Sequence, residues 1–478
     1  MAQGGAGFLT IVTGRILTVL LSIVSIRIST DFLSPEQFGI YSLFLAIQLF
    51  CSMFLISPLD QHIYRNAHKW WDEQTLLARL STYKRYMWLF SGVGALIAVG
   101  VSSPANLGDA LLVAALMFGM VSAVSWYGMT IPMLNMLGFR AASVVLGVAG
   151  SFVALVASAA MAYMLSAKGY GWFAGQAIGF GSVALAASYL LRGKRPVVAG
   201  RLPLIDVGTI KSFAVPLAVA TGFMWLQQSG YRLWVEHYWG LATLGYMAVA
   251  FLPSIQVFGV TETIGHQLLY PHFYRAIAAH EPAKSEAAMS DMLNIMGPTY
   301  IVVMGVAVVC IGAMMKLFIH EQYHVSLALA VLGAFIEGCR AIGNIFGRAA
   351  HVSRKTQTLS VPYAVGAMVQ LMVIVTIGSV GSEVIWLGVC LVVGAFAMLT
   401  VMAIMMRREV RYTLDVGRWL LALGMLALFV TIGLSVPYPS DISRALMILV
   451  LGGFAGVASV AVLMWRNSAL KRLLAVAL

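Results

Sequence analysis

The sequence predicts an all-α polytopic membrane protein with about fourteen transmembrane helices, and three observations predict it. Of the 478 residues, 60% are hydrophobic and only 10% charged. A soluble domain carries roughly 25% charged residues, so the solvent for most of this chain is lipid. The apolar residues fall in continuous runs of about 20, the length that crosses a hydrocarbon core of ~30 Å, without the period-two alternation of a barrel strand. Lys and Arg are rich in the loop after one run and scarce in the loop after the next, the charge pattern of a multi-pass helical protein.

The first run, 8–30, contains Arg15 and Arg27, and nothing in residues 1–9 is basic. A cleavable signal wants a basic start and a small-residue cleavage site, so this run reads as a retained helix. Runs at 38–59, 84–103, 109–131, 142–166 and 171–191 complete an N-terminal lobe, 1–191. Gly147, Gly150, Gly175, Gly179 and Gly181 allow its helices to approach closely. Residues 192–211, with Pro196, Gly200 and Pro203, read as a cytoplasmic linker. A second, pseudo-symmetric lobe, 212–406, holds runs at 212–234, 243–269, 294–317, 325–347, 358–380 and 384–406. Pro216 and Pro253 lie inside its first two runs, where proline permits a bend or a static kink. Runs at 418–436 and 443–465 form an appended helix pair within 407–478. Cys51, Cys310, Cys339 and Cys390 all fall inside runs, without metal-ligand spacing, and read as packing residues.

The net charge is +12, from 30 basic and 18 acidic residues. Loops after even-numbered runs carry Arg65, Lys69, Arg79, Lys84 and Arg85 in the first case and Arg407, Arg408, Arg411 and Arg418 in the last. Loops after odd-numbered runs, with their flanking helix ends, hold only Lys168, Lys316 and Arg444. The positive-inside rule then places both termini in the cytoplasm. The alternation accounts for the basic charge without a nucleic-acid partner. Loops on the other side are short, leaving no outer domain for an enzyme. No nucleophile-elbow, zinc or phosphate-loop spacing occurs, so the reading has no catalytic residue, no metal and no cofactor.

The charges at membrane depth point further. Arg27 is followed by Gly39, Ile40 and Tyr41, and Arg232, at nearly the same distance, by Gly245 and Tyr246. Each unit ends in a matching tetrad, His62, Ile63, Tyr64 and Arg65 in one and His272, Phe273, Tyr274 and Arg275 in the other. Arginine at equivalent places in two repeats reads as a cationic path for an anion at the seam between the lobes, with guanidiniums gripping oxyanions bidentately. Arg15, Arg27, Arg232 and Arg340 are its candidate residues; snorkelling to the headgroups is the alternative for the first three. Glu337 and Arg340, three apart on one helical face, can neutralise each other. Glu262 and His266, four apart, can couple in the same way. Glu262, His266 and Glu337 are the candidates for coupling to H+ or Na+. Arg65 and Arg275 would line a cytoplasmic portal, or simply mark the interface.

The stretch from Arg27 to Tyr41, with Thr30, the turn Leu33, Ser34, Pro35, Glu36, and Gly39 before Ile40 and Tyr41, resembles the first-helix signature of Wzx-type polysaccharide flippases. These belong to the multidrug/oligosaccharidyl-lipid/polysaccharide exporter superfamily. Phe38 and Ile40 depart mildly from that signature. The resemblance implies two six-helix lobes around a central cationic cavity in a bacterial inner membrane. The substrate it implies is an undecaprenyl-pyrophosphate-linked oligosaccharide for capsule, O-antigen or exopolysaccharide, working with other glycan-assembly proteins. By that analogy Arg27, Arg232 and Arg15 contact the pyrophosphate. The appended helix pair instead resembles the peptidoglycan-precursor flippases, whose last helices form a groove for the lipid tail. A multidrug antiporter of the MATE type would want acids in its cavity, whereas the first run carries two arginines and no acid. A glycan polymerase or ligase would want a large outer loop.

Overall fold

A computed structural model describes residues 2–165, 168–194, 207–278, 281–353, 355–380, 383–465, 467 and 469–470. Its regular structure is entirely helical. In chain order the helices are α1 (Ala2–Phe32), α2 (Pro35–Phe50), α3 (Ser57–Asp72), α4 (Leu76–Ser102), α5 (Leu107–Met136), α6 (Arg140–Met164), α7 (Lys168–Lys194) and α8 (Val207–Trp225). They continue with α9 (Tyr231–Ala278), α10 (Pro282–Phe318), α11 (Leu327–Phe346), α12 (Arg348–Val352), α13 (Ser360–Val380), α14 (Ile385–Glu409), α15 (Val416–Ser435) and α16 (Ile442–Met464). Single π-helical stretches, Cys51–Ile56 and Leu226–Gly230, join α2 to α3 and α8 to α9.

Among the described residues, twelve helical stretches are long and apolar enough to cross a membrane. One of them, Ala214–Ile277, contains a break at Gly240, whose φ of 81° is open to glycine without strain. It therefore holds two of the expected runs, and α1 holds the first. The all-helical, multi-pass reading is what the structure shows. Outward faces carry Leu423, Leu428, Val450 and Phe454 rather than charge, as lipid contact requires.

The stretch 60–83, expected as a basic loop, is corrected to helix, and 271–293, expected as a loop or a surface helix, is largely helical. Residues 60–83 are helical through Asp72, turn briefly, and re-enter helix at Leu76. Residues 271–293 continue α9 to Ala278 and begin α10 at Pro282. Polar sequence there ends the apolar run without ending the helix, because a backbone ladder costs nothing extra in water. Both tetrads thus ride on helices. The greater part of the expected linker, 195–206, lies outside the described residues.

The chain divides into two compact units, Met1–Trp225 and Leu226–Leu478. In the first, α7 is the hub, packed on α6, α5 and α2. A Cβ on Gly175 would fall 2.2 Å from Ser158 Cα, and one on Gly179 would fall 2.3 Å from Ala154 Cα, so two backbones meet where only glycine fits. The Trp225 indole N–H, at the end of α8, donates to the Ala46 carbonyl at 2.8 Å. In the second unit α10 is buried along most of its length and packs on α9, α11, α15 and α16. The C-terminal pair is seated through small residues: a Cβ on Gly305 would lie 2.8 Å from Phe429, and one on Gly452 2.4 Å from the Cys310 sulfur.

Gly179→Val forces two helix backbones apart. The expected cost is at least the roughly 1–3 kcal/mol of an overpacked core, read as a lower thermal midpoint in detergent. Gly119→Val, at a site with nothing within 4 Å of the added carbon, serves as the comparison and should leave the midpoint near wild type.

Candidate functional site

Helix α9 presents two chemically different faces within the second unit. Glu262, His266 and Tyr270, each four residues apart, form one stripe. Opposite it, α11 and α12 offer Arg340, Asn344 and Arg348 at the same spacing, with Glu337 one turn before Arg340. The two stripes interlock. The Arg340 guanidinium donates from Nε to Glu337 Oε2 at 2.7 Å, from Nη2 to Glu262 Oε2 at 2.8 Å and from Nη1 to Glu262 Oε1 at 3.3 Å. Asn344 donates to Glu262 at 3.4 Å and accepts from the Tyr363 hydroxyl at 3.3 Å. These charged side chains keep only 13% to 21% of their surface. Two acids therefore share one base.

The four-residue spacing of Glu262 and His266 allows them to couple, with a packed histidine as the plainer reading. The structure instead sends Glu262 to Arg340 and stacks His266 on Tyr270, ring centroids 4.1 Å apart. The Arg348 guanidinium carbon sits 4.9 Å from the centre of the same ring. In the sequence Arg348 is indistinguishable from ordinary loop charge, because Gly347 ends the apolar run just before it.

The other face of α9 lines a cavity of about 660 Å³ shared with α10 and α16. Its walls are apolar, with Ile264, Leu268, Ile295, Met296, Val460 and Met464 among them. His272 and Arg275 line it at the C-terminal end of α9. Thr261, Thr299 and Tyr300 add the few other polar side chains.

In the first unit Arg27 is half-buried, and its Nε lies 3.3 Å from Asp31 Oδ2, one turn on. Asp31 belongs to α1 and not to the loop that follows, so the first helix carries an acid, correcting the count of two arginines and none. Arg15 is exposed on α1, and Arg65 is exposed on α3, beside Tyr64, whose hydroxyl donates to the Gly128 carbonyl at 2.7 Å. Arg232, at the start of α9, is half-buried beside the Tyr231 ring at 6.0 Å. A further acid is all but invisible in the sequence. Asp60 accepts from the buried Tyr83 hydroxyl at 2.5 Å across α3 and α4, a contact whose only sequence signal is an acid at the end of an apolar run.

The sequence matches no protein-family model and no curated protein. Among solved structures, the chain is similar to the lipid II flippase MurJ in an inward closed conformation, with a TM-score of 0.68 at 10% identity, over 96% of this chain and 98% of that one. The fold is shared with that protein. A multidrug resistance MATE family transporter, in an inward-facing conformation, aligns at a TM-score of 0.48 and 11% identity over 82% of this chain and 94% of its own.

Arg340→Gln leaves two carboxylates facing each other with little solvent. Removing one member of a buried ion pair costs about 3–5 kcal/mol, and the residual exposure favours the lower figure. Thermal unfolding in detergent should show the loss, with part of it recovered in the Arg340→Gln, Glu262→Gln double variant.

Proposed function

We propose that this chain is a flippase that moves an undecaprenyl-pyrophosphate-linked oligosaccharide from the cytoplasmic to the periplasmic leaflet of a bacterial inner membrane, for capsule, O-antigen or exopolysaccharide synthesis. The observation that carries the reading is the apolar cavity beside α16 with His272 and Arg275 at one end. A lipid-linked glycan has an isoprenoid chain that must stay out of water and a pyrophosphate that must not enter lipid bare. A long apolar wall with a guanidinium and an imidazole at one end suits both.

The isoprenoid chain stays within the bilayer while the headgroup crosses by alternating access, a shift between states that bind it differently. Arg27 and Arg232, with Arg15, are the further headgroup contacts in this reading, and Arg65 and Arg275 attract the phosphates on the cytoplasmic side. With two acids on one base, the Glu262, Arg340, Glu337 cluster has one negative charge over. Uptake of H+ or Na+ there supplies a driving ion. A peptidoglycan-precursor flippase is the second reading, favoured by the fold shared with MurJ.

Complementation of a strain lacking the gene tests this, scored by surface glycan and by lipid-linked precursor, with membrane abundance checked. Arg27→Ala, Arg232→Ala and Arg275→Ala should each lower surface glycan and build up precursor on the cytoplasmic side at normal abundance. Accumulation of peptidoglycan precursor in the null strain, with surface glycan intact, would establish the second reading instead. Normal export by all three variants would remove these arginines from the headgroup path.

A further inference from the structure

Arg340 and Arg348 lie on the same stripe of α11 and α12, yet their surroundings differ in kind. Arg340 has two carboxylates. Lys355, the next described cation along the chain, has Glu409 at 3.2 Å. Arg348, among the described residues, has no carboxylate within ion-pair distance. Its guanidinium lies against Tyr270 and shares a side-chain hydrogen bond with it, while its Nε is buried with no hydrogen-bond acceptor. A guanidinium keeps its charge at any pH that a protein meets, and a half-buried donor left without an acceptor is costly. The site is electrostatically incomplete.

The geometry says what would complete it. An aromatic face holds a guanidinium in place, which restricts the orientation of its fork. A fixed fork matches the paired oxygens of a phosphate better than a mobile ammonium does. The imidazole of His266, stacked on the same ring at 4.1 Å, adds a ring nitrogen nearby. We infer that Arg348, seated on Tyr270 beside His266, is a phosphate-binding site of the second unit. It takes the pyrophosphate oxygens of the lipid-linked substrate, while Arg340 stays with its two carboxylates. This rests on the flippase reading for the identity of the phosphate, but not for the site.

The test uses the full chain in nanodiscs of zwitterionic lipid, with farnesyl pyrophosphate, inorganic pyrophosphate and added phosphatidylglycerol as probes, and tryptophan fluorescence as readout. Wild type should bind both pyrophosphates. Arg348→Ala should weaken both by roughly tenfold or more, the usual loss of hydrogen bonds to a charged group. Arg348→Lys, which keeps the charge and the fold but not the fork, should fall between them. Undiminished pyrophosphate binding in Arg348→Ala and Arg348→Lys overturns the inference. So does a change confined to the phosphatidylglycerol response, which would make Arg348 a contact for bulk lipid. If wild type binds neither pyrophosphate the site falls too, and the glycan-export assay still decides the flippase reading by itself. Export that survives Arg348→Ala alongside lost pyrophosphate binding would overturn its role in taking the transported substrate.

Discussion

A charge at membrane depth has no water to turn to, and the second unit is organised around that constraint. Arg340 is clasped by Glu262 from α9 and by Glu337 from its own helix. Asn344 then relays the same carboxylate to Tyr363 on α13. Arg340 and Asn344 together thus tie three helices at a fixed rotation about their axes. That rotation turns Leu268, His272 and Arg275 toward α10 and α16 and builds the apolar cavity on the far side of α9. Were α9 rolled to break the clasp, the cavity wall would roll with it.

Where charge does not set the contacts, absence of a side chain does. Lipid tails are as apolar as leucine, so helices in a bilayer associate by close fit more than by escape from solvent. Gly175 and Gly179 let α7 press its backbone against α6, and Gly305 and Gly452 seat the C-terminal helices against α10. Hydroxyls follow the same logic. Thr18, Thr261, Thr299 and Thr376 each donate back to the carbonyl four residues earlier, leaving no polar hydrogen to the hydrocarbon.

The fold is legible in the sequence because hydropathy is a one-dimensional quantity that lipid reads directly. Each apolar run is a helix, and the gap between the runs 212–234 and 243–269 holds the break at Gly240. Residues 60–83 and 271–293 are largely helix where hydropathy alone suggests loop, since polarity marks where a helix leaves lipid and not where it stops. Site residues are legible only in part. The spacing of Glu337 and Arg340 reveals their pairing, but Glu262 reaches Arg340 from 78 positions away, a contact that no local spacing encodes. Arg348 and Asp60 are hidden for a related reason. Each lies at the edge of an apolar run, where a charge is ordinary, and only the neighbours brought in by the fold make it unusual.

The uneven arithmetic of the Arg340 cluster has an electrical side. With both carboxylates ionised, it carries one net negative charge within a helical span. A charge that crosses the full membrane is shifted in energy by about 2.3 kcal/mol for every 100 mV. Moving the cluster through a tenth of the field therefore exchanges only about 0.2 kcal/mol with the membrane potential, whereas filling it with a cation from one side and emptying it to the other harvests the whole drop. A rocking motion of α9 and α11 would gain little from voltage by itself. An ion that rides on the cluster would make resting potential a source of work.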